Sequence, residues 1–498
     1  MPSSTNRSRS LTPLRGVCVG WLAAMALSSC ADGITPPTGE IVSICHGTGP
    51  TATPLDIHMS ELAGYRQQGD YVAKLIVDKG VARGDSIHFT RIGDALAAAR
   101  AGRIARNETT VAACRVTIDV GAGVFQGSSK ESPDPTFERF PLVIDVPDVT
   151  VHGAFSMGID PSGRATGDAQ GTASTTLAAS PGLLTTKTGG AQSFLSEPLI
   201  VVTDVPNGPV GTGAIVEGFL FQAGNGAADG TPGGNGVYAM RAKGLVVRRN
   251  RFEGGFSSPI SFTASDAVAD QNYLIGKGGN CALCLAGPGA YSATGNRLMG
   301  PGGIPGILIL PVSLLPVPPV VVQQVLPASS LVVATIANNE VRNHLQAQAG
   351  AGLRIGALGV GGSDVVSSSR VIARNNTLVN NTFGVMLEAA FPALGTTRKG
   401  NIDLTLQDNV ISGSCQNNLY VAFARNSTGL GLLTTAQFQS EAFLENSTYT
   451  LILNGDLKWQ DAWVAHLPAM GNTLMVDGAV IDTGTRTAFD ATKVCTPI

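Results

Sequence analysis

Between residues 233 and 423 two short patterns of apolar and polar positions recur along the chain. The first is an alternating run that meets an asparagine, with another apolar residue one or two places later. It reads Val246-Val247-Arg248-Arg249-Asn250-Arg251-Phe252 and returns as Asn272-Tyr273-Leu274, Asn296-Arg297-Leu298, Asn339-Glu340-Val341, Asn376-Thr377-Leu378 and Asn409-Val410-Ile411. Successive asparagines are 22, 24, 43, 37 and 33 residues apart. The second pattern is a small residue leading an alternating strand: Gly236-Val237-Tyr238-Ala239, Pro259-Ile260-Ser261-Phe262, Gly306-Ile307-Leu308-Ile309, Gly352-Leu353-Arg354-Ile355, Gly384-Val385-Met386-Leu387 and Leu419-Tyr420-Val421. Alternation with a period of two predicts strands with one buried face. Asparagine tolerates left-handed backbone geometry and bonds to nearby backbone, so it suits a corner between two strands. Near-regular spacing with room for insertions predicts coils of a solenoid. Asn250, Asn272, Asn296, Asn339, Asn376 and Asn409 would then stack as a ladder, each amide satisfying its neighbours in the interior.

Together the two patterns resemble the parallel β-helix repeat of the pectate-lyase-like superfamily, over about residues 85–485. The resemblance implies an all-β fold, a single-stranded right-handed parallel β-helix (solenoid) with an N-terminal capping helix. The alanine-rich amphipathic run from Thr90 to Gly102 fits that helix, and Val116–Phe125 resembles the strand-Gly-aromatic run of a first coil. In the superfamily such a helix shields open strand edges that would otherwise pair with other chains. A β-sandwich is the competing architecture, but it has no need of asparagine at matched corners.

Composition agrees with an all-β body. Charged residues make up 14 % of the chain, against the ~25 % usual in globular proteins, and there are 62 glycines in 498 residues. The net charge of −3 gives no electrostatic basis for nucleic-acid binding.

The chain divides by pattern into a leader (1–29), a tether (30–40), a small module (41–85), the solenoid (86–485) and a tail (486–498). Arg7, Arg9 and Arg15 precede an apolar run, Gly16 to Leu27, that is shorter than the ~20 residues a membrane span needs. It ends in Leu27-Ser28-Ser29-Cys30, which resembles a bacterial lipobox. The resemblance implies cleavage, acylation of Cys30 and a membrane partner, with Ala31 compatible with outer-membrane sorting. In the small module, Ile44-Cys45-His46-Gly47-Thr48-Gly49 and Gln68-Gly69-Asp70 resemble a module of exported bacterial proteins with Cys-His near its start and His-Gly-Asp near its end. Gln68 replaces that histidine, so no metal is expected there. Six cysteines follow residue 30, and an exported chain permits them to pair. Fifteen pairings are open; Cys45–Cys114 and Cys415–Cys495 are the preferred ones, each tying down an end. Residues 301–333 carry seven prolines in an apolar stretch, which excludes a spanning helix and points to a long loop or a contact surface.

Enzymes of this superfamily work on polysaccharides along the sheet formed by the second pattern. With Val237, Ile260, Leu283, Ile307, Leu353, Val385 and Leu419 inward, the outward set is Tyr238, Ser261, Ala282, Leu308, Arg354, Met386 and Tyr420, plus Glu388. A calcium-dependent lyase needs clustered carboxylates, and an inverting hydrolase needs two of them ~6.5–9.5 Å apart. The set offers one carboxylate, Glu388, with Arg354 on the neighbouring coil as its expected surface partner. These two are the catalytic candidates. Trp459 and Trp463, beyond the main run, leave few platforms for sugar stacking. Asp266 and Asp270 read as turn residues, His344 and His466 as solvated histidines. Cys281-Ala282-Leu283-Cys284 has redox or zinc spacing without a second pair, and strand alternation places its sulfurs on opposite faces, so structural thiols or a loop disulfide are favoured. No metal or cofactor is expected. The pattern therefore favours a non-catalytic, lipid-anchored rod of the cell envelope, binding polysaccharide or an envelope protein. A lyase or hydrolase with its site moved into loops 222–234 or 356–369 is the alternative.

Overall fold

The computed structural model describes residues 39–47, 51–79, 85–108, 114–127, 137–179, 198–203, 213–223, 233–275, 281–300, 305–311, 329–345, 350–356, 366–389, 400–423, 448–454, 458–459, 464–466, 473–476, 479–480 and 495. Cys30 with its leader and tether, most of the proline-rich stretch, and Trp463 lie outside them. Strands follow one another in a three-beat order and form three long sheets. Among the described residues, face 1 has fourteen strands and faces 2 and 3 ten each. One coil supplies Lys243–Arg248 to face 1, Arg251–Glu253 to face 2 and Phe256–Thr263 to face 3. The next coil adds Asp266–Asp270, Tyr273–Ile275 and Leu283–Ala286, all parallel to the first. Successive parallel strands joined by crossovers wind right-handed for steric reasons. The chain is a right-handed parallel β-helix.

Each face contributes one inward row to the core. On face 3 the register aligns Val237, Ile260, Leu283, Ile307, Leu353, Val385 and Leu419 in a single column. Face 2 supplies Phe221, Phe252, Leu274, Leu298, Val341, Leu378 and Ile411, with the rings of Phe221 and Phe252 stacked at 4.4 Å. Glycines ahead of several inward face 3 residues make room for this row. A Cβ on Gly306 would sit 2.2 Å from Val341 Cγ1, and one on Gly384 2.2 Å from Ile411 Cγ2.

The corner between faces 1 and 2 holds the asparagines. Asn250, Asn272, Asn296, Asn339, Asn376 and Asn409 are at most 1 % exposed. Asn296 Nδ2 donates to Ala269 O of the preceding coil at 2.8 Å and to Asn339 Oδ1 of the following coil at 3.0 Å. Asn339 Oδ1 also accepts the Asn296 backbone N–H at 3.0 Å. The same bonds repeat at Asn272, Asn339 and Asn376. The residue before each asparagine takes left-handed backbone: Arg249, Gln271, Gly295, Asn338, Asn375 and Asp408, with φ between 51° and 63°.

The N-terminal end is closed by α2 (Ile92–Ala105), while α1 (Leu62–Gln67) belongs to the small module ahead of it. α2 buries Ile92, Ala95, Leu96, Ala99 and Arg103, the stripe expected of an amphipathic helix. Its first turn is capped from the next coil, where the Glu138 carboxylate accepts the N–H groups of Ile92 (2.8 Å) and Gly93 (3.1 Å). Face 1 begins inside the small module, taking in Lys74–Val77 and His88–Phe89. Ahead of it, β1 (Ile41–His46), β2 (Thr53–His58) and β3 (Tyr71–Val72) form a separate antiparallel sheet. Cys45 is bonded to Cys114 and Cys415 to Cys495, each with Cα atoms 5.7 Å apart.

Candidate functional site

The outer row of face 3 is where a groove would lie. Its register runs Val201, Tyr238, Ser261, Cys284, Leu308, Arg354, Met386, Tyr420 and Val464. Cys284 occupies the place expected for Ala282, which lies one residue before the strand. From Tyr238 to Tyr420 the side chains do point away from the core, yet this part of the row is buried. Leu308 and Cys284 are 2 % exposed, Met386 1 % and Tyr420 2 %. Two apolar clusters form on this outer side: Ala351, Phe383, Met386 and Tyr420, and Cys281, Cys284, Leu308 and Leu310. The Phe383 and Tyr420 rings stack at 4.8 Å. Burial pushes the Tyr238 phenol up to about 12, against the smaller effects of Thr263 and Arg241.

Arg354 is also buried, at 3 % exposure, so a solvent-screened surface pair does not describe it. Its strand neighbour is Met386, and Glu388 stands two positions further along, opposite Gly356. The two candidates are thus on adjacent coils, two positions apart in register. The Glu388 side chain lies outside the described residues, as do those of Trp459 and His466.

Cys281 and Cys284 form a disulfide, one of the two outcomes favoured for them; alternation does not separate their sulfurs, because Cys281 precedes the strand. Two further expectations are corrected. His344 is 2 % exposed at the corner between faces 2 and 3, where its backbone N–H donates to Asn381 Oδ1 at 3.0 Å. Asp266 and Asp270 are strand residues on the outer side of face 1, and Asp266 pairs with Lys243 at 2.7 Å. Burial pushes the Asp270 carboxyl up, against Arg249 and Arg248.

The pattern gave no sign of a strap over face 2. Where the later coils turn at an asparagine, the coil at Gly153 instead sends out a hairpin, Met157–Ile159 paired with Ala165–Ala169. It lies along the outside of the corner and spans several coils. Arg164 Nε donates to Asn338 O at 3.1 Å, and its Nη2 reaches Asn375 O at 3.1 Å. Asp160 pairs with Arg297 at 3.2 Å, and Arg297 with Glu340 at 2.9 Å. Arg251 donates to Gly167 O and stacks on Tyr273.

At the N-terminal end, the Cys-His and Gly-Asp pairs of the module meet. His46 Nδ1 lies 2.8 Å from Asp70 Oδ2, and Asp70 also faces Arg106 at 3.6 Å. Gly69 at φ +91 turns the chain so that Asp70 points inward. Behind it, Tyr71 bonds Glu108 at 3.0 Å and lies between the guanidinium groups of Arg103 and Arg106. Among the described residues no group of three or more His, Cys, Asp or Glu side chains is placed to hold a metal ion.

No known family profile matches the chain, and no curated protein matches it. Solved structures do. An endo-xylogalacturonan hydrolase from Aspergillus tubingensis is 10 % identical over 83 % of this chain and 98 % of its own, with a TM-score of 0.38. A DFA-IIIase from Arthrobacter chlorophenolicus A6 is 12 % identical over 85 % and 91 %, with a TM-score of 0.32. A tailspike protein of Acinetobacter baumannii bacteriophage Fri1, a capsular polysaccharide depolymerase, is 9 % identical over 83 % and 65 %, with a TM-score of 0.33. Likeness this distant carries no argument about reaction or substrate.

Proposed function

We propose that the chain is an exported lipoprotein, anchored through Cys30 in the outer membrane, whose β-helix serves as a non-catalytic rod associated with envelope polysaccharide. The observation that carries the non-catalytic part is the closed outer row of face 3. Cys284, Leu308, Met386 and Tyr420 are buried in apolar clusters where an open groove would need carboxylates reaching a sugar. Fold alone does not set function, so the support for this reading comes from this site-level feature. The sequence Leu27-Ser28-Ser29-Cys30 supports the anchor. Expression of wild type and Cys30→Ala with radiolabelled palmitate tests it: label and membrane fractionation are expected for the first and lost in the second. The rod reading is tested by incubating the protein with pectin, alginate and xylogalacturonan. Retention on a polysaccharide column without release of reducing or unsaturated ends is expected. Turnover that disappears in Glu388→Gln or Arg354→Ala would overturn it.

A further inference from the structure

The N-terminal cap contains a cleft of about 410 Å³ between the small module and α2. That volume lies within the range of small-ligand sites. Its walls are apolar: Val72, Leu75 and Phe89 on one side, Ala98, Ala101 and Ala105 of α2 on the other. Arg66, Asp70 and Ser86 supply the polar groups. The α2 wall is made of small residues, so a bulky side chain at Ala101 or Ala105 would stand beside the space.

The charges around the cleft are nearly all committed to one another. Asp70 is taken by His46 and Arg106. Glu108 is taken by Arg103, Arg106 and the Tyr71 hydroxyl. Arg66 is different. It projects from the exposed face of α1 at the mouth of the cleft, and among the described residues no carboxylate pairs with it. The cleft therefore offers an apolar body and one available guanidinium, while its only lining carboxylate is already neutralised.

We propose that this cleft is a binding site for a small monocarboxylate with an apolar body, such as an aryl or branched acyl acid, whose carboxylate meets Arg66. Burial of the apolar part supplies the attraction, and the guanidinium selects an anion over the matching alcohol or amine. The site does not depend on the rod or the anchor.

Titrating the full chain with 3-phenylpropanoate, 3-phenylpropanol and 3-phenylpropylamine, followed by saturation-transfer NMR and calorimetry, tests the proposal. The acid is expected to bind saturably and about tenfold more tightly than the alcohol. Arg66→Gln should remove that preference and leave alcohol binding unchanged. Ala101→Phe, an exposed helix position, should weaken acid and alcohol alike by about tenfold or more. If Ala101→Phe fails to fold by circular dichroism, Ala105→Leu takes its place. The proposal is overturned if none of the probes binds saturably, or if acid binding survives both the Arg66 and the cleft-filling variants.

Discussion

At the scale of single residues, the asparagine column is the most consequential feature, and it was visible in the sequence because one residue type has to recur wherever the corner recurs. Removing a middle member tests its weight. In Asn296→Ala, the Asn272 backbone N–H loses its partner at 2.9 Å and the Ala269 carbonyl loses the amide at 2.8 Å, in a region closed to water. An orphaned buried group costs ~1–3 kcal/mol, so a loss of ~2 kcal/mol is expected as a lowered urea midpoint. Thr335→Ala, on the outer side of face 1 one coil on, should change stability by less than ~0.5 kcal/mol. Equal effects of the two would show that the column is ornament. The residues just before each asparagine were only half legible. Asn338, Asn375, Asp408 and Gly295 are types that enter left-handed geometry readily, whereas Arg249 and Gln271 do so at φ 54° and 52° because the stacked corners on either side force them. The burial of Arg354 and His344 was not legible either, since alternation tells which way a side chain points but not what lies over it.

At the scale of elements, strands and the capping helix followed from periodicity, while the groups that fix them in place come from far along the chain. The α2 cap is a case in point. No side chain adjoining the helix caps it; Glu138 does, 46 residues away from Ile92. The strap is another, its sequence Met157-Gly158-Ile159-Asp160 carrying no mark of the coils that it crosses. Asp160 organises its turn, accepting from Ser162 N (2.9 Å), Ser162 Oγ (2.6 Å) and Arg164 N (2.9 Å) and pairing with Arg297. Partial burial pushes its carboxyl up, but these hydrogen bonds and Arg297 outweigh it and leave it below the ordinary carboxylate value of 3.8. A carboxyl whose folded pKa lies below its unfolded one stabilises fully above the unfolded value, and that contribution fades as pH falls through the folded one. The strap should therefore hold at pH 6 and loosen below about pH 4. Hydrogen exchange of the peptide spanning 155–171, corrected for intrinsic rates, reads this directly, and Asp160→Asn should be loose at both pH values. Unchanged protection in acid would mean that Arg164 and the strand pairing hold the strap without Asp160.

For the whole molecule, a stack of coils is stabilised mainly by nearest neighbours, so inner coils are covered on both sides and end coils on one. The two long-range disulfides sit at those ends: Cys45–Cys114 closes a 69-residue separation at the first coil, and Cys415–Cys495 an 80-residue one near the last. On the chain-entropy argument, loops of that length confer ~4 kcal/mol each, an upper figure for real proteins. The ten strands of face 3, at ~4.8 Å apart, put the two ends roughly 45 Å from each other. Sites so distant with no shared partners should act independently. Replacing Cys45 and Cys114 by alanine should accordingly raise hydrogen exchange in β1, β3 and α2 while the coils around Asn272 and Asn296 keep their protection. Replacing Cys415 and Cys495 should do the same around Asn381 and Asn409, and the two losses of stability should add. The N-terminal pair should show the larger local effect, because Arg106 donates to Cys45 O at 3.0 Å and Arg103 to Cys114 O at 2.6 Å, so the buried charges of the cap loosen with the bond. A single transition in which either pair of substitutions unfolds every coil together would contradict this, and would mean that the aromatic and asparagine stacks couple the full length of the cylinder into one cooperative unit.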